Sequence, residues 1–274
     1  VRKFKGINTK MTWSLRIGFA LAAVYLLLAG IGATLDLETG LNLKARLQPP
    51  SSSHLLGLDE NGQDLLKQLL LSASLSVSLS VIVVALSAAV GIVMGLWAGL
   101  AQQRVDNVVM RAIEVLQAFP TFLFALGLLA AIGPSYWNLV LAMTITTWTG
   151  FARLVRGETL HLKSREFVEA SKGFGSSRRH RALHHVLPQL YGLILIHSSY
   201  SVAGVVIAEA GLSFLGLGLP AQSPSWGQLL NRGRPYLAEA PHICLATGLL
   251  LSGYILCFYL LGDGLRQRLQ AKAS

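Results

Sequence analysis

Glu169–Pro188 reads EASKGFGSSRRHRALHHVLP, a polar and strongly basic stretch set between long apolar segments. Arg165–Lys172 holds residues that favour helix and contains no breaker. Gly173 and Gly175 supply flexibility and a turn with positive φ. Ser176 or Ser177 is placed to cap a second helix running through His180 to Leu187. Pro188 then sits where a helix can begin its way into the next apolar segment. The expected form is helix, turn, helix, lying across a membrane face. A solvated inner loop would account for the eight basic residues between Arg153 and Arg181. It would not account for Glu169, Ala170, Gly175, His185 and Pro188 standing together in this register.

The flanks are membrane spans by length. The chain has 274 residues, 53% apolar and only 13% charged, where a soluble domain carries about a quarter. No Asp, Glu, Lys or Arg occurs from Gln68 to Gln103, Val115 to Ala152, Ala182 to Ala208 or Ala240 to Gly262. Crossing a bilayer takes about 20 apolar residues, so each gap is long enough. The second gap is too long for one crossing, and Gly133-Pro134 divides it. Six spans follow, at about 17–35, within 75–100, at 115–132, 136–152, 190–213 and 243–261. The first is too long for a typical secretory core and no A-x-A-like cleavage site follows it, so it is read as a retained helix.

The net charge of +10 does not point to nucleic acid, because the basic residues sit at the ends of apolar spans. There they set topology and meet anionic lipid head groups. With the N-terminus inside, segments 1–16, 101–114, 153–189 and 262–274 hold 18 of the 23 Lys and Arg residues. Both termini and the basic loop are therefore expected in the cytoplasm.

Gly91, Gly95 and Gly99 place small residues on one helix face, either for packing within the chain or for a subunit contact. Ser72, Ser74, Ser76, Ser78 and Ser80 alternate, which is not a helix face. They are read as hydroxyls bonding back to the helix backbone. Cys244 and Cys257 lie in one helix, about 20 Å apart, too far for a disulfide. Several motifs fail. There is no phosphate-cradling G-x-x-x-x-G-K-[ST]. Gly216-x-Gly218-x-x-Ala221 follows an apolar helix and runs into Pro220, so it is not a dinucleotide site. Asp59-x-Asn61 opens like a calcium loop, but Asp64 and Leu70 occupy the positions that need glycine and an acid. His180 and His184 have ligand spacing but no third partner nearby, in a basic loop that repels cations. No metal site and no nucleophile-base pair is expected.

The spacing E-A-A, three residues, G, nine residues, H-x-L-P resembles the cytoplasmic coupling loop of ABC importer permeases. Glu169, Ala170, Gly175, His185, Leu187 and Pro188 match it, and Ser171 stands where alanine is usual. The resemblance covers nearly the whole chain and is to the dipeptide, oligopeptide and nickel branch. His54–Asp64, Val105-Asp106, Met110-Arg111, Phe119-Pro120, Ala208–Gly218, Pro224–Gly227 and Leu261–Arg266 are similar to stretches of that branch. Leu55, Leu58 and Gln63 depart from its proline, threonine and arginine, which leaves the substrate open among peptides, nickel chelates and similar solutes.

The resemblance implies an all-α membrane protein with six transmembrane helices and the type I ABC importer (MetI-like) permease fold. A single permease domain would span 1–274, with an N-terminal helix at about 14–35 and an extracytoplasmic segment at about 36–72. Core helices would follow at about 73–265, with the coupling loop at about 153–189. It implies a non-catalytic subunit of the bacterial cytoplasmic (inner) membrane that binds no cofactor. ATP and Mg would be used by two partner ATP-binding cassette subunits. A homologous second permease and an extracytoplasmic solute-binding protein complete the implied partners, beside membrane lipid. The coupling residues would be Glu169, Ala170, Ser171, Gly175, His185, Leu187 and Pro188. Phe119-Pro120 would kink the third span. Glu209 is either a functional intramembrane charge or a residue near the outer end of the fifth span, wetted or paired structurally. The competing class is a self-contained secondary transporter or channel, which would explain six spans and Glu209 but would not need the loop.

Overall fold

The computed structural model describes residues 13–36, 40–220 and 223–273. The basic N-terminal residues 1–12, part of the topology argument, lie outside the described residues. The described residues form helices joined by turns, with no strand beyond one isolated bridge between Leu58 and Asp64.

Helix α1 (Trp13–Ala33) packs against α2 (Leu65–Leu100) and α10 (Pro241–Ala273). Tyr25 Oη on α1 donates to the Leu250 carbonyl at 2.7 Å, so its polar tip is satisfied inside the bundle. Cys257 is fully buried against α1, its Sγ 3.4 Å from the Gly18 carbonyl, and both cysteines are free. They act as small packing residues, as their spacing required.

Before α2, residues 40–64 fold into a compact turn structure. Asp59 Oδ1 accepts from the backbone N–H groups of Asn61 (2.9 Å) and Gln63 (2.8 Å), so the acid that mimics a calcium ligand holds a turn instead. Gly62 in that turn has φ +74°, which glycine adopts at no cost. Asp64 caps α2 by accepting from Lys67 N. Glu60 reaches Arg232 at 3.4 Å, and burial pushes its carboxyl above the usual range while Arg232 pulls it back.

The 36 residues of α2 span about 54 Å, well beyond a bilayer core of about 30 Å. Its first turns therefore belong to the segment expected outside the membrane. Ser72, Ser74, Ser78 and Ser80 donate back to the carbonyls of Gln68, Leu71, Leu75 and Val77, as expected of hydroxyls in an apolar helix. Ser76 instead accepts from Trp226 N at 3.4 Å.

The glycine stripe packs inside the chain. A Cβ on Gly91 would lie 2.3 Å from Phe151 Cβ, one on Gly95 2.7 Å from the Ala152 carbonyl oxygen, and one on Gly99 2.6 Å from Thr159 Cγ2. Those neighbours all lie on α5 (Tyr136–Lys163), so small residues let two long backbones touch.

Between these rods lie α3 (Gln103–Gln117) and α4 (Thr121–Ile132), bent by 78° at 118–120. The third span was expected at about 115–132. The structure corrects this: 115–117 complete the amphipathic α3, and the apolar helix starts only after Pro120. Phe119-Pro120 is thus a break between two helices rather than a kink within one. Proline cannot donate and disfavours helix at the residue before it. Gly133, at φ +85°, ends α4, and Ser135 caps α5 by accepting from Asn138 N.

Four described helices are long and apolar enough to cross a bilayer, or five with the bent α3–α4 pair counted as one span. α5 is the sixth element of the bundle and falls outside that count. It is long enough, but Asn138, Thr144, Thr146, Thr147 and Thr149 lower its apolarity. After α5 come α6 (Glu166–Gly173), α7 (Arg178–His180), a π-helical turn (Arg181–Val186) and α8 (Leu187–Phe214). Then follow α9 (Trp226–Gly233), a 3₁₀ turn (Arg234–Tyr236) and α10. Trp226 at the start of α9 is fully buried, its ring 6.2 Å from Tyr25 and 5.2 Å from Tyr254. This aromatic cluster ties α1, α9 and α10 together.

Candidate functional site

The quoted loop folds as helix, turn, helix. Arg165 opens α6 with extended backbone, and the helix ends at Gly173. Gly175 holds φ +78°, with its N–H on the Lys172 carbonyl at 3.0 Å. Ser176 N donates to the Ser171 carbonyl at 3.1 Å, and the two serine hydroxyls meet at 2.7 Å across the turn. Ser171, the departure from alanine, therefore stitches the turn shut. Ser177 caps the second helix by accepting from His180 N.

Two boundaries differ from expectation. α5 continues unbroken to Lys163, so the irregular part of the loop begins only at Ser164. The second helix does not stop before Pro188. It passes through the π-helical turn into α8, and the stretch Arg178–Phe214 runs on as one helical segment. The turn is thus joined directly to the long α7–α8 segment, and it reaches α5 through α6 and the break at 164–165.

Glu169 and Ala170 are exposed on α6, as are Gly175 and Pro188. Ser171, His185 and Leu187 are half-buried. Glu169 shares a depression with Lys163, Lys172, Arg178 and Arg181. Val168 is 2% exposed and anchors α6 beside Leu100 and Ala101 of α2. His185 faces the Phe167 ring edge-on at 6.4 Å, and His180 stacks on His184 at 4.4 Å. Among the described residues no group of three or more candidate metal ligands forms.

Reading the sequence missed Phe174. It stands at the tip of the turn, 93% exposed. Its signal was a large apolar residue between two glycines in a basic loop. A second omission is the bidentate pair formed by Arg156 on α5 and Asp106 on α3, at 2.7 and 2.6 Å. Asp106 had been noted only as part of a similar stretch. Nearby, Arg153 donates to Gln117, which donates to Thr149 Oγ1 at 3.0 Å, so the end of α3 before the break is braced on α5.

Two further places stand out inside the bundle. A cavity of about 270 Å³ lies between α4, α5 and α8. Thr121, Thr146, Thr147 and Ser201 bring hydroxyls to it among apolar neighbours, and no charged residue lines it. Glu209 on α8 is fully buried rather than wetted. Ser213 Oγ donates to it at 2.7 Å, and the hydroxyls of Ser76 and Ser225 lie beside it. The carboxylate thus joins α8, α2 and the cap of α9.

The family model of the binding-protein-dependent transport system inner membrane component matches residues 91–274. The glutathione transport system permease protein GsiD of Shigella sonnei is 35% identical over 271 residues, 99% of this chain and 89% of the relative. The oligopeptide transport system permease protein OppC of Haemophilus influenzae is 33% identical, covering 86% of this chain and 76% of the relative. The dipeptide transport system permease protein DppC of Alkalihalophilus pseudofirmus is 31% identical, covering 84% and 76%. Among solved structures, an inward-facing MetNI methionine ABC transporter aligns with TM-score 0.61 at 13% identity, over 74% of this chain and 96% of that one. That likeness is one of fold, and it is the MetI-like permease fold the sequence implied. None of these supports a self-contained secondary transporter. The protein is a multi-pass membrane protein of the binding-protein-dependent transport system inner membrane components, an ABC importer permease of the peptide family.

Proposed function

We propose that this chain forms half of a translocation passage for peptides or peptide-like solutes and takes its driving force from partner ATPases at the α6–α7 turn. The observation that carries the reading is Phe174. A phenylalanine 93% exposed between two glycines, on a stitched and capped turn of a basic loop, is a knob without a socket among the described residues. The turn is fixed to α5 and α8, and those two helices also line the hydroxyl-bearing cavity with α4. A second, homologous permease would close that cavity into a passage. Hydroxyls without fixed charge suit a zwitterionic solute, which they can hydrogen-bond without trapping. An extracytoplasmic binding protein would deliver the solute on the face bearing 40–64 and α9. The chain would bind no cofactor itself, ATP and Mg belonging to the ATPases.

This assigns both termini and the 153–189 loop to the cytoplasm, in accord with the distribution of Lys and Arg. Single cysteines at Ser177 and Ser223 should label with an impermeant maleimide only from inside and only from outside, respectively. Phe174→Asp should leave membrane expression unchanged and abolish co-purification of the ATPases. Labelling of Ser177 from outside, or full ATPase retention by Phe174→Asp, refutes the reading.

A further inference from the structure

The outward face of α2 carries Leu86, Val90, Val93 and Trp97, all between 43% and 65% exposed, over about 16 Å of helix. This is the chemistry of a lipid-facing stripe, about half a bilayer core in length. At its end near Ala101 the stripe runs into a trough of about 460 Å³ between α2 and the α7 segment. The trough changes character along its length. Its membrane end is walled by Val93, Leu96, Trp97 and Leu183, and its other end by Arg178 and Arg179. Arg178, Leu100 and Ala101 also line the adjoining depression, which adds Lys163, Lys172 and Arg181 against the lone carboxylate of Glu169. Arg181 Nε is buried there without a hydrogen-bond partner. Among the described residues, Arg178 and Arg179 form no ion pair or side-chain hydrogen bond.

We infer that this trough is a binding site for one anionic phospholipid. Its acyl chains lie along Val93, Trp97 and Leu183, and its head-group phosphate meets Arg178 and Arg179. A guanidinium fits a phosphate with two parallel hydrogen bonds. A tryptophan at the change from apolar to polar lining is where an interfacial aromatic belongs. A soluble subunit could meet the arginines but not the apolar half, which continues a stripe at bilayer depth. A free anion would have no use for that half. The surplus of cations selects an anionic head group over a zwitterionic one. The assignment stands on the trough and does not depend on what the passage transports.

The test uses matched phosphatidylglycerol and phosphatidylcholine carrying a photoreactive diazirine in one acyl chain, added to the assembled transporter in vesicles. Labelled peptides are mapped by mass spectrometry. Phosphatidylglycerol should label 93–101 and 182–183 at least about fivefold more than phosphatidylcholine at low salt, the effect of one surface arginine. High salt should shrink the ratio. The double variant Arg178→Gln/Arg179→Gln, altering two exposed side chains, should bring the ratio near one while labelling by both lipids persists. Soluble glycerol phosphate should not compete. Equal labelling in the unaltered protein, an unchanged ratio in the double variant, or competition by glycerol phosphate overturns the site. So does a photoreactive residue at Trp97 that captures a partner subunit in place of lipid.

Discussion

If partner ATPases engage the α6–α7 turn, Gly175 makes that engagement a quantitative matter. Its φ is +78°, and a Cβ built on it meets nothing within 4 Å. Space is therefore no obstacle, and the whole effect of a side chain falls on the backbone. An L residue in the left-handed region costs about 1–2 kcal/mol, with β-branched residues at the upper end and Asn near zero. Against this, the turn is held by Gly175 N on Lys172, Ser176 N on Ser171 and the Ser171–Ser176 hydroxyl pair. Three such bonds in a partly exposed turn contribute about 2–3 kcal/mol net. Valine would thus use up most of what holds the turn without unfolding anything else. At about 1.4 kcal/mol per factor of ten, Gly175→Val should lower the equilibrium constant for forming the native turn ten- to thirtyfold, and Gly175→Ala about fivefold, which leaves the valine turn formed about half the time at worst.

The assay is co-purification of the ATPases and transport, at matched membrane expression, for Gly175→Asn, Gly175→Ala and Gly175→Val. Retention should follow Gly, Asn, Ala, Val in falling order, with Val weakest and still inserted. If Asn proves as damaging as Val, the loss comes from the presence of a side chain and the backbone argument is wrong. If Val behaves as Gly, this turn is not where the ATPases engage.

Asp106→Ala should cost about 2–4 kcal/mol, less than a fully buried pair because Arg156 is 29% exposed, and the reciprocal swap Asp106→Arg/Arg156→Asp should recover part of the lost Tm in detergent. Gly95→Val should lower the Tm strongly and reduce expression, because its Cβ would sit 2.7 Å from a backbone oxygen of α5 that cannot move alone; an unchanged Tm would mean the α2–α5 contact is looser than described. Glu209→Gln should be tolerated, since the amide oxygen still accepts from serine. Glu209→Leu should destabilise by about 1–3 kcal/mol per orphaned hydroxyl, read as Tm and protease resistance. Transport lost in Glu209→Gln at an unchanged Tm would instead assign the charge a direct part in passage.

The helical segments and the α6–α7 turn were legible because their signals are local. Charge-free gaps mark where long apolar helices lie, though of the six spans they suggested four described helices, or five with the bent pair, are long and apolar enough to cross. A glycine, two serines and a proline at set offsets specify cap and turn chemistry without reference to the rest of the molecule. What stayed hidden depends on distance in sequence. The Asp106–Arg156 pair joins residues 50 apart, and nothing in either neighbourhood marks the other as its partner. The glycine stripe of α2 named a close approach but not the approaching helix, since Phe151, Ala152 and Thr159 carry no matching stripe of small residues. Glu209 was ambiguous for the same reason: the serines around it come from α2, from α8 and from the cap of α9. Phe174 was visible as a residue, but its meaning rests on exposure, which no pattern of spacing reports. The break at 118–120 was underestimated because proline announces an interruption and says nothing of its angle.

These placements constrain how force could travel if the turn is the coupling point. α2 and α5 touch backbone to backbone along the glycine stripe, so α5 cannot bend without α2. The turn joins the end of α5 to the start of the segment that becomes α8. A push on Phe174 then reaches two long helices that both line the hydroxyl-bearing cavity, through α6 and the break at 164–165 on one side and through the π-helical turn on the other. Irregular backbone that could give under such a push includes the π-helical turn at 181–186 and the 78° break at 118–120. A π-helical turn is a local irregularity that can shift register at small cost. The break leaves α4 joined to α3 by three residues, so α4 can rotate while the Asp106–Arg156 pair holds α3 to α5. The cavity wall contributed by Thr121 and Phe122 sits immediately after that break. Opening and closing of the passage is therefore expected to be a rotation of α4 against the α5–α8 pair, with the interlocked α2–α5 rods moving as one body.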